Sequence, residues 1–162
     1  MLIFAPMKYR MLTTEEMEIF NEDFKHFAIA NGVSNEEWVE MNQFDKEKAT
    51  KLVGLFSDTV LQKVYEKIKF IEHRSAASCL VFRLNPNNID LISLNAKSER
   101  IDLSTVESIH DALVNHPSEL SVFRSQKNYS KVREEEIHEM LTQGCVNSSE
   151  AFWIMLEKVV EE

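Results

Sequence analysis

The spacing of apolar residues changes along the chain from a helical period to a strand period. Between Ala49 and Ile68 apolar side chains recur every three or four residues, which predicts a long helix that begins after a cap at Asp45. From Cys79 onward they alternate, and the turn sequence "NPNN" separates two alternating runs, which predicts a β-hairpin over residues 79–94. Because the two periods occupy separate blocks of the chain, we expect an α+β fold.

Sequence signals for helix ends predict further helices on both sides of the hairpin. Thr13, Ser34 and Ser104 each stand three residues before a glutamate, which is the spacing of a capping box. Gly32 and Gly144 occupy positions typical of helix ends, where a left-handed backbone is needed. The predicted helices are residues 14–31, a short one after Ser34, the long one after Asp45, residues 105–115, one from Ser130 to Gly144, and a last one after Ser148 or Ser149.

The hairpin needs additional structure, because two strands alone are marginally stable in water. The segments "KFIEH", "RIDL" and "ELSVFRS" are candidates for further strands. We therefore expect about six helices with a small antiparallel sheet of two to four strands, built on the central 79–94 hairpin. The sequence shows no internal repeat or linker, which predicts a single globular domain over residues 7–162. Residues 1–6 are expected to be an upstream extension before a start at Met7.

Charge and composition exclude several classes of partner. The chain carries 27 acidic and 18 basic residues, and its net charge of −9 repels nucleic-acid phosphates and anionic membrane surfaces. The basic segment "FRSQKNYSKVR" is followed by "EEE", which nearly cancels its charge, so we expect a solvated loop there. No apolar run approaches the roughly 18 residues of a membrane span. We therefore expect a cytoplasmic protein without nucleic-acid or membrane partners, with two reduced cysteines outside any metal-ligand spacing.

The segment "FIEHRSAASC", residues 70–79, holds most of the side-chain types that catalysis uses. Adjacent residues point to opposite faces of a strand and lie about 100° apart on a helix, so they do not form a hydrogen-bonded catalytic pair. We interpret the segment as a junction between the long helix and the hairpin. Glu72, His73 and Arg74 are then predicted to form a charged binding surface, and Cys79 is predicted to face the core.

Three histidines follow an acidic residue by three positions, an arrangement that di-iron helix bundles use for metal binding. The pairs are Asp23 with His26, Glu107 with His110, and Glu135 with His138. Glu135 and His138 lie off the apolar stripe of their helix, which favours solvated pairs and predicts no metal or other cofactor. The alternative is a small metal-dependent or hydrolytic enzyme that uses His73 with one of these pairs.

The last predicted helix is apolar around most of its circumference, and such a helix lies in the core or is covered by a partner. Its two adjacent apolar stripes are Phe152, Met155 and Val159, and Trp153, Leu156 and Val160. We predict that this helix contacts a protein partner or a second copy of the chain, with Trp153 as a binding residue. The sequence has no phosphate loop, dinucleotide fingerprint or hydrolase motif. The leading interpretation is therefore a non-catalytic protein-interaction or regulatory module.

Three segments carry a family resemblance. They are "MKYRML" before the first helix, "LFSDTV" within the long helix, and "IEHRS" before the hairpin. On these segments the chain from Met7 onward resembles a bacterial family of small cytoplasmic proteins of unassigned function. The resemblance implies no activity, but it implies that Glu72, His73 and Arg74 belong to a characteristic feature of the family.

Overall fold

The computed structural model describes residues 7–161, so the predicted extension over residues 1–6 lies outside the described part of the chain. The chain divides into two compact units, with the boundary between Val64 and Tyr65. This boundary falls inside the longest helix, which is continuous from Lys46 to Lys67. The single domain over residues 7–162 therefore stays a prediction.

The first unit consists of helices whose ends follow two of the predicted caps. Its helices are α1 (Thr14–Ile19), α2 (Asn21–Ala30), α3 (Asn35–Phe44) and most of α4 (Lys46–Lys67). Thr13 forms the predicted capping box with Glu16, and the Ser34 side chain accepts a hydrogen bond from a backbone N–H of the first turn of α3. The prediction of one helix over residues 14–31 is wrong, because the backbone leaves the helical range at Phe20, where φ is −97° and ψ is 17°.

Aromatic rings pack against one another in the first unit. Phe24 packs edge-on against Trp38 and Phe56, with ring centroids 4.8 Å and 5.2 Å apart. The segment before α1 packs along α4, because the Asp58 carboxylate accepts hydrogen bonds from the N–H groups of the two residues that follow Met7. A Cβ atom at Gly54 would meet sulfur atoms of this segment at 3.6 and 3.7 Å, which are ordinary van der Waals distances, so the segment lies directly against α4 at this glycine.

The second unit is an antiparallel sheet with helices. Its strands are β1 (Phe70–Arg74), β2 (Ser78–Leu84), β3 (Asn88–Ala96), β4 (Leu120–Asn128) and β5 (Val146–Asn147), in the spatial order β4-β3-β2-β1-β5. Its helices are the end of α4, α5 (Val106–Asn115), α6 (Arg133–Thr142) and α7 (Glu150–Glu161). The predicted hairpin is confirmed, since β2 pairs with β3 in register from Ser78 with Asn95 to Leu84 with Ile89.

The α+β class is confirmed, whereas the predicted numbers of elements are slightly wrong. The described residues contain seven α-helices and five strands, against about six helices and two to four strands predicted. "KFIEH" lies mostly in β1 and "ELSVFRS" mostly in β4, and of the loop predicted over residues 123–133 the first part, residues 123–128, belongs to β4. "RIDL" forms no strand but places Ile101 and Leu103 in the core. β5 has only two residues, too few for an alternating pattern to be visible.

Two helices begin later than predicted. α5 is capped by Thr105, because the Ser104 hydroxyl donates to the Asp102 carboxylate instead. α6 begins at Arg133, and the N–H of Ser130 donates to the buried carboxylate of Glu136.

One face of the sheet forms the main core of the second unit. Strands β2 and β3 contribute the fully buried Cys79, Val81, Ile92 and Leu94. Helices α5 and α7 cover these residues with Ile109, Ala112, Phe152, Trp153 and Leu156. The apolar stripes of the last helix are thus largely explained by the sheet that the helix covers.

A single arginine joins three parts of the second unit. The Arg133 guanidinium donates hydrogen bonds to the carbonyl oxygens of Tyr65, Ile68 and Leu84. The first of these carbonyls lies in the last turn of α4 and also accepts a hydrogen bond from the N–H of Ile68. Arg133 therefore fixes the start of α6 to the end of α4 and to the end of β2.

We expect Arg133→Ala to lower the free energy of unfolding by about 3 kcal/mol, because three carbonyls lose a charged donor. Arg133→Lys is the matched control; it retains the charge but not the planar fork, and should lose an intermediate amount. Urea unfolding followed by circular dichroism measures both. A loss below about 0.5 kcal/mol in Arg133→Ala, the size of an ordinary surface substitution, would contradict this role.

Candidate functional site

Residues 70–79 form two strands and the turn between them, so the predicted helix-to-strand junction is wrong. Residues Phe70–Arg74 are strand β1, and successive side chains of a strand point to opposite faces. The structure therefore brings Glu72 and Arg74 together on one face and places His73 on the other. Glu72 is 5% exposed, so its carboxylate is not part of an open charged surface.

The Glu72 carboxylate is buried because Arg74 neutralises it. The Nε atom of Arg74 donates directly to Glu72 Oε2. The guanidinium carbon of Arg74 also lies 5.0 Å from the ring centroid of Phe152 on α7. A buried carboxylate needs such a partner, since an unpaired charge in the interior is strongly unfavourable. Only one of the five N–H donors of a guanidinium is used in this pair.

Beside this ion pair lies a cleft of about 550 Å³, here called the Arg74 cleft. It is lined by Glu72, Arg74, Val106, Asn147, Ser148, Ser149, Ala151, Phe152 and Met155. Its floor is the edge of the sheet at β1 and β5, and its wall is the first two turns of α7. Volumes of a few hundred Å³ are typical of small-molecule sites.

Two adjacent serines at this cleft have different roles. The Ser149 side chain accepts a hydrogen bond from the N–H of Phe152 at 3.1 Å, which confirms a cap in the predicted place before the last helix. The backbone N–H of Ser148 donates to the carbonyl of Phe70 at 3.0 Å and continues the pairing of β5 with β1. The Ser148 hydroxyl is buried and has no hydrogen-bond partner among the described residues.

On the other side of α7, Trp153 is held between charged side chains. It is 1% exposed, and the guanidinium carbons of Arg83 and Arg124 lie 5.1 Å and 5.6 Å from its ring centroid. Arg83 donates to the Asp90 carboxylate, and Arg124 Nη1 lies 2.9 Å from Glu157 Oε2. These cation–π contacts and ion pairs fix the indole against the sheet. The sequence predicted Trp153 as a binding residue but did not indicate this surrounding network.

The buried Asp90 stays ionised at neutral pH. Burial alone would raise its pKa, but hydrogen bonds from Arg83, Gln126 and Asn85 outweigh burial and hold the pKa below its usual value. These donors come from β2, β4 and the hairpin turn. From its place in β3, the Asp90 carboxylate therefore binds side chains of both neighbouring strands, β2 and β4, and of the hairpin turn.

Neither cysteine is activated as a nucleophile. Burial, together with the negative charge of Glu72 and against a smaller opposing effect of Arg74, raises the pKa of the Cys79 thiol to about 12. Burial also raises the pKa of the half-buried Cys145. The prediction that Cys79 faces the core is confirmed, since this residue is fully buried.

The histidines have separate surroundings. The His138 ring shares a 2.8 Å hydrogen bond with the Tyr65 hydroxyl, and the His116 ring lies 3.2 Å from an Arg100 nitrogen. The ring of His73 lies beside Gly144, and His26 and His110 are exposed. Residues 7–161 contain no group of three or more His, Cys, Asp or Glu side chains that could hold a metal ion.

Comparison with known proteins identifies the family of the chain. The model of a family of unknown function, DUF6495, matches residues 7–161. The chain belongs to this family. No curated protein and no solved structure matches it. The predicted membership of a family without an assigned function is thus confirmed. Among the described residues, no helix has the length and apolar character needed to cross a membrane.

We expect the two thiols to differ in reactivity. Treatment of the native protein with iodoacetamide at about pH 8 should modify Cys145 and leave Cys79 unmodified, because Cys79 is buried and its pKa is far above that pH. Mass spectrometry of the digested protein measures the two sites separately. Cys145→Ser should then show no native modification, and rapid labelling of Cys79 would contradict its burial.

We expect Asp90 to contribute to stability above the pKa of an unfolded aspartate, which is about 3.9. Because the folded pKa is lower, this contribution is lost as the pH falls through the folded value. Urea unfolding between about pH 2 and pH 7 should show this loss in the wild type. Asp90→Asn should be less stable at pH 7 and should depend less on pH below 4; an unchanged acid dependence contradicts the assignment.

Proposed function

We propose that this DUF6495 protein is a non-catalytic binding module whose ligand site is the Arg74 cleft. The observation that carries the proposal is the buried Ser148 hydroxyl, which has no partner among the described residues. Buried polar groups in proteins nearly always have hydrogen-bond partners, so we infer that a ligand group in the adjoining cleft provides the partner of this one. Glu72 and Arg74, two of the predicted binding residues, line the same cleft.

The polar end of the cleft favours an anionic group. The Arg74 guanidinium uses Nε for Glu72 and keeps further N–H donors. The amino-terminal end of α7 adds the partial positive charge of a helix that begins at Glu150. A carboxylate or a phosphate can accept hydrogen bonds from both, and from the Ser148 hydroxyl as well.

The remainder of the cleft is apolar and favours a ligand with a hydrocarbon body. Its apolar lining consists of Val106, Ala151, Phe152 and Met155. Burial of such a body is favourable by about 0.8 kcal/mol per CH₂ group. The ligand class that fits both ends of the cleft is therefore a small molecule, or the end of a peptide, with an anionic head and an apolar body.

The predicted contact of α7 with a protein partner or a second copy has less support than the cleft. Phe152, Trp153 and Leu156 are buried in the core of the second unit, and Ile154 is 40% exposed. One exposed apolar side chain is ordinary for a protein surface. We therefore assign the interaction or regulatory role of the module to the Arg74 cleft. Its ligand can be a small molecule or the end of a partner protein's chain.

We place the module in the cytoplasm. The two cysteines, Cys79 and Cys145, are free thiols. A reducing compartment maintains thiols in this state, whereas secreted proteins generally pair them.

The binding test uses octanoate as the probe, because it combines a carboxylate with an apolar chain. Titration followed by ¹H–¹⁵N NMR should give saturable shifts of the backbone signals of Ser148 and Ala151. Octanol, which lacks the charge, should bind at least about fivefold more weakly, since a charged hydrogen bond contributes about 1 kcal/mol or more. Equal shifts with octanol would refute the anionic head, and no saturable shift with octanoate would refute the site.

We expect opposite effects on stability from the two adjacent serines in the unliganded protein. Ser149→Ala removes the cap of α7 and should lower the free energy of unfolding by about 1 kcal/mol. Ser148→Ala removes an unpartnered hydroxyl and should leave stability unchanged or raise it, while weakening octanoate binding about fivefold. Urea unfolding and the NMR titration measure the two effects. A loss of stability in Ser148→Ala as large as in Ser149→Ala would contradict the proposal.

A further inference from the structure

The structure assigns a second ligand site to the opposite side of α7, for an amino acid or a short peptide. It is a cleft of about 560 Å³, here called the Trp153 cleft, and it lies between the first turns of α7 and the ends of β1 and β2. The residues of the cleft that the argument uses are Lys69, Arg83, Glu150, Trp153, Ile154 and Glu157. None of the residues that line the Arg74 cleft also lines this one.

The first observation is an unpartnered donor in the wall of the cleft. The Trp153 side chain is 1% exposed, and its Nε1–H has no hydrogen-bond partner among the described residues. A buried indole N–H normally donates to an acceptor. Because the N–H is buried, the proposed site requires that a ligand displaces side chains at the rim of the cleft to reach it. A carbonyl or carboxylate oxygen is the acceptor that an indole N–H requires.

The second observation is the balance of charge around the cleft. Lys69 and Arg83 provide two positive charges, and Glu150 and Glu157 provide two negative charges. Arg83 is paired with Asp90 and Glu157 with Arg124, so Lys69 and Glu150 are the charged groups of the cleft that we assign to a ligand. A ligand with charges of both signs matches this arrangement, whereas a simple anion or cation leaves half of it unused.

The third observation is an apolar wall beside the charged groups. Phe70, Leu84 and Pro86 line the cleft, and the 40% exposed Ile154 stands on α7 next to them. An apolar side chain of a ligand can pack here while its backbone meets the charges and the indole. Amino acids and short peptides combine an ammonium group, a carboxylate, carbonyl oxygens and an apolar side chain, and they therefore match all three observations.

The test follows the indole N–H signals in ¹H–¹⁵N NMR spectra, since the chain has only two tryptophans. Trp38 lies in the first unit and serves as the internal control, and Trp38→Phe assigns the two signals. The probes are leucyl-leucine, which carries both charges, and N-acetylleucinamide, which carries neither. Leucyl-leucine at about 10 mM should shift the Trp153 signal saturably and leave the Trp38 signal in place.

A charge variant on α7 separates specific recognition from general binding. Glu150→Gln should weaken leucyl-leucine binding about threefold and leave N-acetylleucinamide binding unchanged, because only the dipeptide has an ammonium group. Glu161→Gln on the same helix lies outside the cleft and is the matched control, with wild-type binding expected. An unmoved Trp153 signal with both probes overturns the site. Equal loss of binding in both variants overturns the charge recognition.

Octanoate binding at the Arg74 cleft is measured on different signals, so either proposal can fail without the other.

Discussion

The packing of Trp153 against the sheet is the interaction on which the second unit depends. The indole is 1% exposed and lies near Phe70 and between two guanidinium groups. Removal of a buried aromatic side chain of this size costs about 3–5 kcal/mol in typical proteins, a large part of a domain's net stability. By holding α7 across the sheet, this residue also creates a cleft on each side of the helix. Both candidate sites are thus consequences of one packing contact.

Pairing of buried acids accounts for much of the remaining architecture. In a chain with a net charge of −9, cations are scarce, and three of them are placed on strands beside buried carboxylates. The pairs are Arg74 with Glu72, Arg83 with Asp90, and Lys127 with Glu136. Each carboxylate is neutralised by a neighbour in the sheet or at its edge, which makes its burial tolerable. Arg74 and Arg83 also stand at the two clefts, so the same residues that permit burial line the candidate sites.

Patterns in the sequence correctly predicted the elements that depend on interactions between residues a few positions apart. The helical period over α4, the cap residues Thr13 and Ser34 and the turn of the hairpin all act within a few residues, and the structure confirms them. The break at Phe20 has no glycine or proline to indicate it, and β5 is too short to show a period. The start of α6 depends on Glu136 accepting from the Ser130 N–H. The candidate site was found only in part, because Glu72 and Arg74 are visible in "IEHRS" whereas Ser148 is distant in sequence and resembles any serine before a helix.

The sequence by itself determined the α+β class, the long helix, the central hairpin and the absence of a local catalytic motif, because each depends on the spacing of nearby residues. Only the tertiary structure decided that Glu72 is buried, that His73 faces away from Arg74, and that the apolar stripes of α7 are largely covered by the protein's own sheet. It also decided which buried polar atoms lack partners. These properties depend on contacts of β1 with β5 and α7, which lie about seventy residues further along the chain, and no local period indicates which distant strand a helix will cover.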